Sequence, residues 1–250
     1  MAALGASRFS GISGCAEAHS KYYMSSYLHR GPYHWHASTT VERLESNETV
    51  QGWPREPQMY TINSQGFRGA EFETNCVAAL GCSHTFGYGQ LEQDTWPSLL
   101  GRELDLPVSN MGWPGAGADT FSRVAMTWFE QLRPRVVCVL DVYPNRREFM
   151  LSEWQNQIHN GTNDSDQMAK ICASPVEQQF NTERNRRCIQ NLADEYGSKC
   201  VWIDRLTYKQ KFSRISTGRP SRDAAQHPST DCHSAISEYL VKALAELDQT

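Results

Sequence analysis

From residue 75 onward the apolar positions follow two alternating patterns: short runs bounded by glycine or turn residues, and longer stretches with an apolar residue every three or four positions. The short runs are Cys76-Val77-Ala78-Ala79-Leu80, Val108-Ser109-Asn110-Met111-Gly112, Val136 to Val142 and Lys199 to Ile203, and they are read as strands of a largely buried sheet. The longer stretches predict helices. Asp94 to Leu104 is opened by Asp94 or Thr95 with Pro97 in the first turn. Asp119 to Leu132 places Phe121, Val124, Ala125, Trp128 and Leu132 on one face, and Pro175 to Tyr196 has Phe180, Cys188, Leu192 and Tyr196 as its expected buried line. The last helix, from about Cys232 to Leu247, is expected to bury Ile236, Leu240, Ala243, Leu244 and Leu247. Strand and helix alternate, which predicts an α/β fold: a mainly parallel sheet with helices on both faces.

Two segments fall outside this alternation. Residues 152 to 174 are polar and rich in Asn, Gln and Asp, and read as a long surface excursion able to cover a site at the strand ends. Residues 1 to 70 are aromatic and irregular; they are expected to form an N-terminal extension packed across the core and anchored by Phe67 and Arg68, with the main domain spanning 71 to 250. Trp35 and Trp53 are read as packing residues, with sugar-ring stacking as the alternative.

Candidate chemistry sits where the strand runs end. Ser83, in Gly81-Cys82-Ser83-His84-Thr85-Phe86-Gly87, follows the first run and opens a glycine-rich turn. The spacing excludes the G-x-S-x-G elbow, since Thr85 stands at the second glycine position. A second glycine-rich turn, Trp113-Pro114-Gly115-Ala116-Gly117, follows the second run, and glycine there lets a backbone N–H approach a ligand closely. The third run ends at Tyr143-Pro144-Asn145, where the Asn145 amide can reach the same crevice. Arg222-Asp223-Ala224-Ala225-Gln226-His227-Pro228 precedes the last helix.

Taken in order, these four segments resemble blocks I, II, III and V of the SGNH (GDSL-like) hydrolases, over roughly residues 75 to 247. The phrase Asn63-Ser64-Gln65-Gly66-Phe67-Arg68-Gly69 resembles one found ahead of block I in a bacterial and phage-associated branch. Cys82 departs from the family's Asp, and the Asp223-to-His227 spacing is one residue longer than usual. The resemblance implies a three-layer, flavodoxin-like SGNH fold and a serine esterase with a catalytic triad of Ser83 as nucleophile, His227 as base and Asp223 as orienting acid. It also implies an oxyanion hole formed by the Ser83 and Gly115 N–H groups and the Asn145 amide. These residue types suit acyl transfer: a neutral imidazole takes the serine proton during attack on a carbonyl, and preorganised donors meet the developing oxyanion. The resemblance further implies small acyl esters as substrates, with acetyl groups on carbohydrate the leading subclass. An O-acyltransferase using the same acyl-serine, and a noncatalytic binding or structural protein retaining the fold, stay open as alternatives.

Composition narrows the partners. The 250 residues, 39% hydrophobic, suit one large domain, and a net charge of -4 argues against a dedicated nucleic-acid binder. Arg146-Arg147 and Arg186-Arg187 read as solvated helix faces. No apolar stretch is long enough to span a bilayer, and the start lacks a secretory pattern, so a cytoplasmic location is the default, with virion or extracellular association left open. No cofactor and no metal are expected: Cys-x-x-Cys is absent, and His34 and His36 lack companion ligands. The cysteines, Cys76, Cys138 and Cys200 among them, are expected to be buried thiols, and Cys82 is expected to be structural. The oligomeric state is not legible.

Overall fold

The computed structural model describes residues 60–152, 155–159, 167–221 and 227–249. Expectations placed on Trp35, Trp53, His34, His36 and Asp223 lie outside the described residues. The chain runs β1 (Val77–Gly81), α1 (Ser83–Phe86), a 3-10 turn (Glu92–Asp94), α2 (Trp96–Leu104), β2 (Val108–Gly112), α3 (Ala118–Leu132) and β3 (Val136–Leu140). It continues through β4 (Arg147–Ser152), β5 (Gln155–His159), α4 (Gln167–Ala173), α5 (Pro175–Glu195), β6 (Lys199–Ile203), α6 (Arg205–Lys211) and α7 (Thr230–Leu247).

Four parallel strands form the central sheet in the order β2-β1-β3-β6, the doubly wound order of flavodoxin-like folds. The registers set Gly112, Gly81, Leu140 and Ile203 abreast, so the strands finish along one edge. The chain leaves β1 outward to β2 and then crosses back to β3. The loops after β1 and β3 therefore diverge, which opens a crevice at the carboxyl edge.

Side chains alternate across the sheet and are buried on both sides. Ala78, Leu80, Val137 and Val139 face one core, closed by Phe121, Val124, Phe129 and Leu132 of α3 and Ile189 and Ala193 of α5. Val77, Ala79, Val136, Cys138 and Leu140 face the other, closed by Trp96 and Leu100 of α2 and Ile236, Leu240 and Leu244 of α7. Each large apolar side chain so buried contributes about 1.5–3 kcal/mol. The result is the expected three-layer α/β arrangement.

Segment 60–72 crosses one end of the first core. Tyr60, Phe67 and Phe72 are buried there, and Arg68 bridges Asn110 of β2 in antiparallel fashion. That bridge covers part of what would be an open sheet edge. No helix among the described residues is long and apolar enough to cross a membrane, and no disulfide joins the described cysteines.

Four expectations need correction. The polar excursion opens with the second strand of an antiparallel hairpin, β5 paired with β4, and holds the helix α4; β5 reads Gln-Asn-Gln-Ile-His and carries too little apolar alternation to announce a strand. Helix α5 buries Asn181, Asn185, Ile189 and Ala193, while Phe180 is 61% exposed. Its inner line is one position off the expected one because Asp119 of α3 receives the Asn185 amide at 2.8 Å and so draws a polar stripe inward. Arg147 lies on β4 and pairs with Asp119 and Glu177, and nearby Arg123 grips Glu148 through two hydrogen bonds of 2.9 and 3.0 Å; neither Arg146 nor Arg147 is on a helix. Finally, Leu247 is 44% exposed at the last position of α7.

Candidate active site

Ser83 is the first residue of α1, two residues beyond the carboxyl end of β1. Cys82 caps this one-turn helix in extended conformation, and Gly87 ends it in the left-handed region at φ 76°. The turn fits tightly against the neighbouring strand end. A Cβ on Gly112 would lie 2.2 Å from the Phe86 nitrogen, so only glycine lets α1 rest there. Asn110 fastens the contact, donating to the Thr85 carbonyl at 3.2 Å and accepting from the Gly112 N–H at 3.0 Å.

His227 comes from the far end of the sequence and meets Ser83 at this edge: its Nε2 is 2.8 Å from the Ser83 Oγ. The hydroxyl residue is 7% exposed, and His227 is half-buried. Two anchors hold the histidine loop. Gln90 donates its side-chain amide to the Pro228 carbonyl at 2.9 Å, and the Ser229 hydroxyl caps α7 by accepting from the Cys232 N–H. Tyr88 and His84 flank the His227 ring, at 5.0 and 5.4 Å between centroids.

The second strand-end loop is a type II turn. Pro114 and Gly115 occupy its central positions, Gly115 has φ 86°, and Ala116 N–H closes the turn onto the Trp113 carbonyl at 3.0 Å. The third loop packs against it, since a Cβ at Gly117 would meet the Arg146 backbone oxygen at 2.4 Å. The turn containing Asn145 therefore abuts the turn containing Gly115. The loops that follow β1, β2 and β3 are thus contiguous.

Electrostatically, the site sets a neutral His84 ring beside the Arg146 cation. Burial, reinforced by the nearby His227, His233 and Arg146, drives the His84 imidazole well below its ordinary value, so it is neutral. Arg146 stacks over the Tyr143 ring at 3.9 Å. Its charge reaches the Cys82 thiol, which burial nonetheless pushes above its ordinary value. Cys82 is 1% exposed, with its Sγ 4.0 Å from the Ser83 Oγ. A cavity of about 280 Å³ adjoins the pair, lined by His84, Tyr143, Tyr208, Phe212 and His227 among others.

Of the residues singled out in the sequence, Ser83 and His227 meet, and the turns holding Gly115 and Asn145 lie side by side; sequence reading assigned no role at the site to His84, Gln90 or Arg146. No local pattern marks Gln90, whose importance comes from a partner 138 residues away. Asp223 lies outside the described residues.

A family model described as "Domain of unknown function (DUF6473)" matches residues 44–144. Among solved structures, the chain is similar to a lipolytic-type protein of the G-D-S-L family from Desulfitobacterium hafniense DCB-2, at 19% identity and TM-score 0.37, over 68% of this chain and 99% of that one. It is also similar to the psychrotrophic esterase EstA of a Pseudoalteromonas species, at 15% identity and TM-score 0.40, covering 70% and 100%. A carbohydrate acetylesterase family member from Sinorhizobium meliloti matches at 14% identity and TM-score 0.36, covering 68% and 97%. No curated protein matches the sequence.

Proposed function

We propose that the protein is a serine-dependent carboxylic-ester hydrolase acting on small acyl groups, with acetyl esters of carbohydrate as the favoured class. The observation that carries this reading is the 2.8 Å contact between His227 Nε2 and Ser83 Oγ at the carboxyl edge of the sheet. A base must lie within hydrogen-bond reach of the proton it removes, and this pair meets that condition across 144 residues of sequence. In the proposed reaction, Ser83 Oγ attacks the ester carbonyl as its proton passes to His227 Nε2. The imidazolium then returns the proton to the departing alkoxide. Water, deprotonated by the same nitrogen, cleaves the acyl-serine and releases the acid.

Negative charge on the carbonyl oxygen would be met by the N–H groups of Ser83 and Gly115 and the Asn145 amide, with the Arg146 charge adding a favourable field. The contiguous β2 and β3 loops and the glycine-specific φ at Gly115 support that assignment. Asp223 is assigned to His227 Nδ1 as the orienting acid. The acetyl-carbohydrate preference rests on the block resemblance alone.

The test is labelling with a fluorophosphonate alongside hydrolysis of short-chain aryl esters. Ser83 is expected to carry the label, and Ser83→Ala and His227→Ala are each expected to lower kcat about a thousandfold or more with the fold intact. Asp223→Asn is expected to lower kcat sharply by disfavouring the productive tautomer. An unlabelled Ser83, or most of the activity retained in Ser83→Ala, would overturn the reading.

A further inference from the structure

A second cavity, about 380 Å³, opens at the same sheet edge on the other side of the β3 loop. It shares no lining residue with the cavity beside His227. The 141–144 turn separates them, with Asp141 and Pro144 facing the one and Tyr143 the other, and so does α6, whose Arg205 and Leu206 line the second cavity while Tyr208 lines the first. Helix α5 gives this cleft a face of its own, Gln178, Gln179 and Thr182 among it, distinct from the Asn181, Asn185, Ile189 line that packs inward.

Three buried polar atoms on its lining have no hydrogen-bond partner among the described residues: Asp141 Oδ1, Thr182 Oγ1 and Trp202 Nε1. Each comes from a different element: the residue after β3, the middle of α5, and β6. Asp141 is 2% exposed, and burial pushes its carboxyl up to about 7. Protonated or ionised, it keeps an acceptor oxygen. The Asp141 carboxyl accepts the Tyr143 N–H, yet its Oδ1 stays without a partner; a buried polar atom left unpaired costs free energy, so three such atoms on residues lining one cleft mark a site whose partner is a ligand. We infer that the cleft between α5 and α6 binds a neutral polyhydroxylated ligand, a saccharide, through Asp141, Thr182 and Trp202.

The chemistry selects that class. Indole N–H only donates, a carboxylate only accepts, and a threonine hydroxyl does both, so one ligand satisfies all three when its own groups each donate and accept. Adjacent sugar hydroxyls do this. Charges on the cleft are mixed, with Arg186 and Arg205 set against Asp141, Glu183 and Asp204, which favours neither a polyanion nor a polycation. The inference does not depend on ester hydrolysis, because binding here engages none of the residues assigned to that chemistry.

The test is titration of ¹⁵N-labelled full-length protein with glucose, xylose and N-acetylglucosamine and their short oligomers, following the Trp202 indole N–H resonance assigned by its loss in Trp202→Phe. Expected is a saturable shift within about 100 mM sugar, weakened roughly tenfold or more by Asp141→Leu, which removes the acceptor oxygen, and by Thr182→Val, and unchanged in Ser83→Ala. Thr182→Val is isosteric and removes a hydroxyl the folded protein leaves unpaired, so its Tm without sugar is expected to match or exceed the wild type. A Trp202 resonance unmoved by every sugar would overturn the inference, as would movement by spermidine or phosphate alone. So would sugar shifts that persist in both variants, or a clear fall of Tm in Thr182→Val. Loss of esterase activity with sugar binding intact would count against the proposed function and leave this site standing.

Discussion

Gly112 carries as much of the site as Ser83 does, because the absence of a Cβ there decides where Ser83 sits. With methyl in place of hydrogen, the new carbon would lie 2.2 Å from the Phe86 nitrogen and 2.7 Å from the Thr85 carbonyl carbon. Both are backbone atoms and cannot rotate away, so α1 must move off the strand end. Gly112→Ala is therefore expected to cost about 1–3 kcal/mol in urea denaturation and to slow fluorophosphonate labelling of Ser83 tenfold or more. Wild-type stability and labelling would show that α1 tolerates displacement. Residues with a stereotyped local context could be picked out from the sequence as candidates: Ser83 after an apolar run, Gly115 behind a proline, His227 ahead of Pro228 and a helix. Those whose role depends on distant partners could not. His84 looks like an ordinary loop histidine until its ring is found between Tyr143, Tyr208 and His227, at 5.4 to 5.6 Å from each. Arg146 reads as surface charge until the β2 and β3 loops are seen to meet at Gly117.

Elements around the site are joined by one buried cation. Arg68, 2% exposed, donates to the carbonyls of Phe86, Gly87 and Gln90 at 2.8, 2.6 and 2.8 Å. The first two close the carboxyl end of α1, where a positive charge also complements the helix dipole. Its guanidinium lies 4.6 Å from the Tyr60 ring centroid and 5.4 Å from that of Phe86. Because Gln90 in turn holds Pro228, one side chain secures both the serine turn and the histidine loop. Arg68→Met would leave buried carbonyls without their donor and is expected to destabilise by about 3–5 kcal/mol, with labelling of Ser83 falling in parallel. Arg68→Lys is expected to rescue little, since an ammonium cannot reproduce a planar fork to three carbonyls. An Arg68→Met protein within about 1 kcal/mol of the wild type would refute this role. Sequence reading expected Phe67 and Arg68 to anchor an extended segment across the core, and both side chains are buried. It misplaced the buried face of α5 because periodicity weighs hydrophobicity, and here Asn181 and Asn185 are buried for their hydrogen bonds to one another and to Asp119.

Across the whole molecule, the buried titratable groups oppose one another with pH, and the balance sets how the fold responds to acid. His233 is fully buried and accepts the Trp96 N–H on Nδ1 at 3.1 Å; burial lowers it to about 3, against an ordinary 6.5. His84 is likewise held well below 6.5 by burial. Between pH 6.5 and these lowered values the unfolded chain binds protons that the native state refuses, so stability from both imidazoles is present above about 6.5 and is lost as pH falls. Asp141 acts in the opposite sense. Burial raises it to about 7 from 3.8, so over that interval the native state binds the extra proton, and stability is lost as pH rises. Two imidazoles outweigh one carboxyl, at up to about 1.4 kcal/mol per pH unit for each group. Urea denaturation is therefore expected to show stability falling as the pH is lowered from 6.5 to 4.5. Asp141→Asn removes the opposing contribution, so its stability is expected to fall more steeply over this range while being higher than the wild type at pH 8. His233→Asn is expected to flatten the curve, even if its baseline stability drops for want of the Trp96 hydrogen bond. A flat wild-type profile from pH 6.5 to 4.5 would show that water reaches the histidines, and an Asp141→Asn profile parallel to the wild type would show that the Asp141 carboxyl ionises as it does in an unfolded chain.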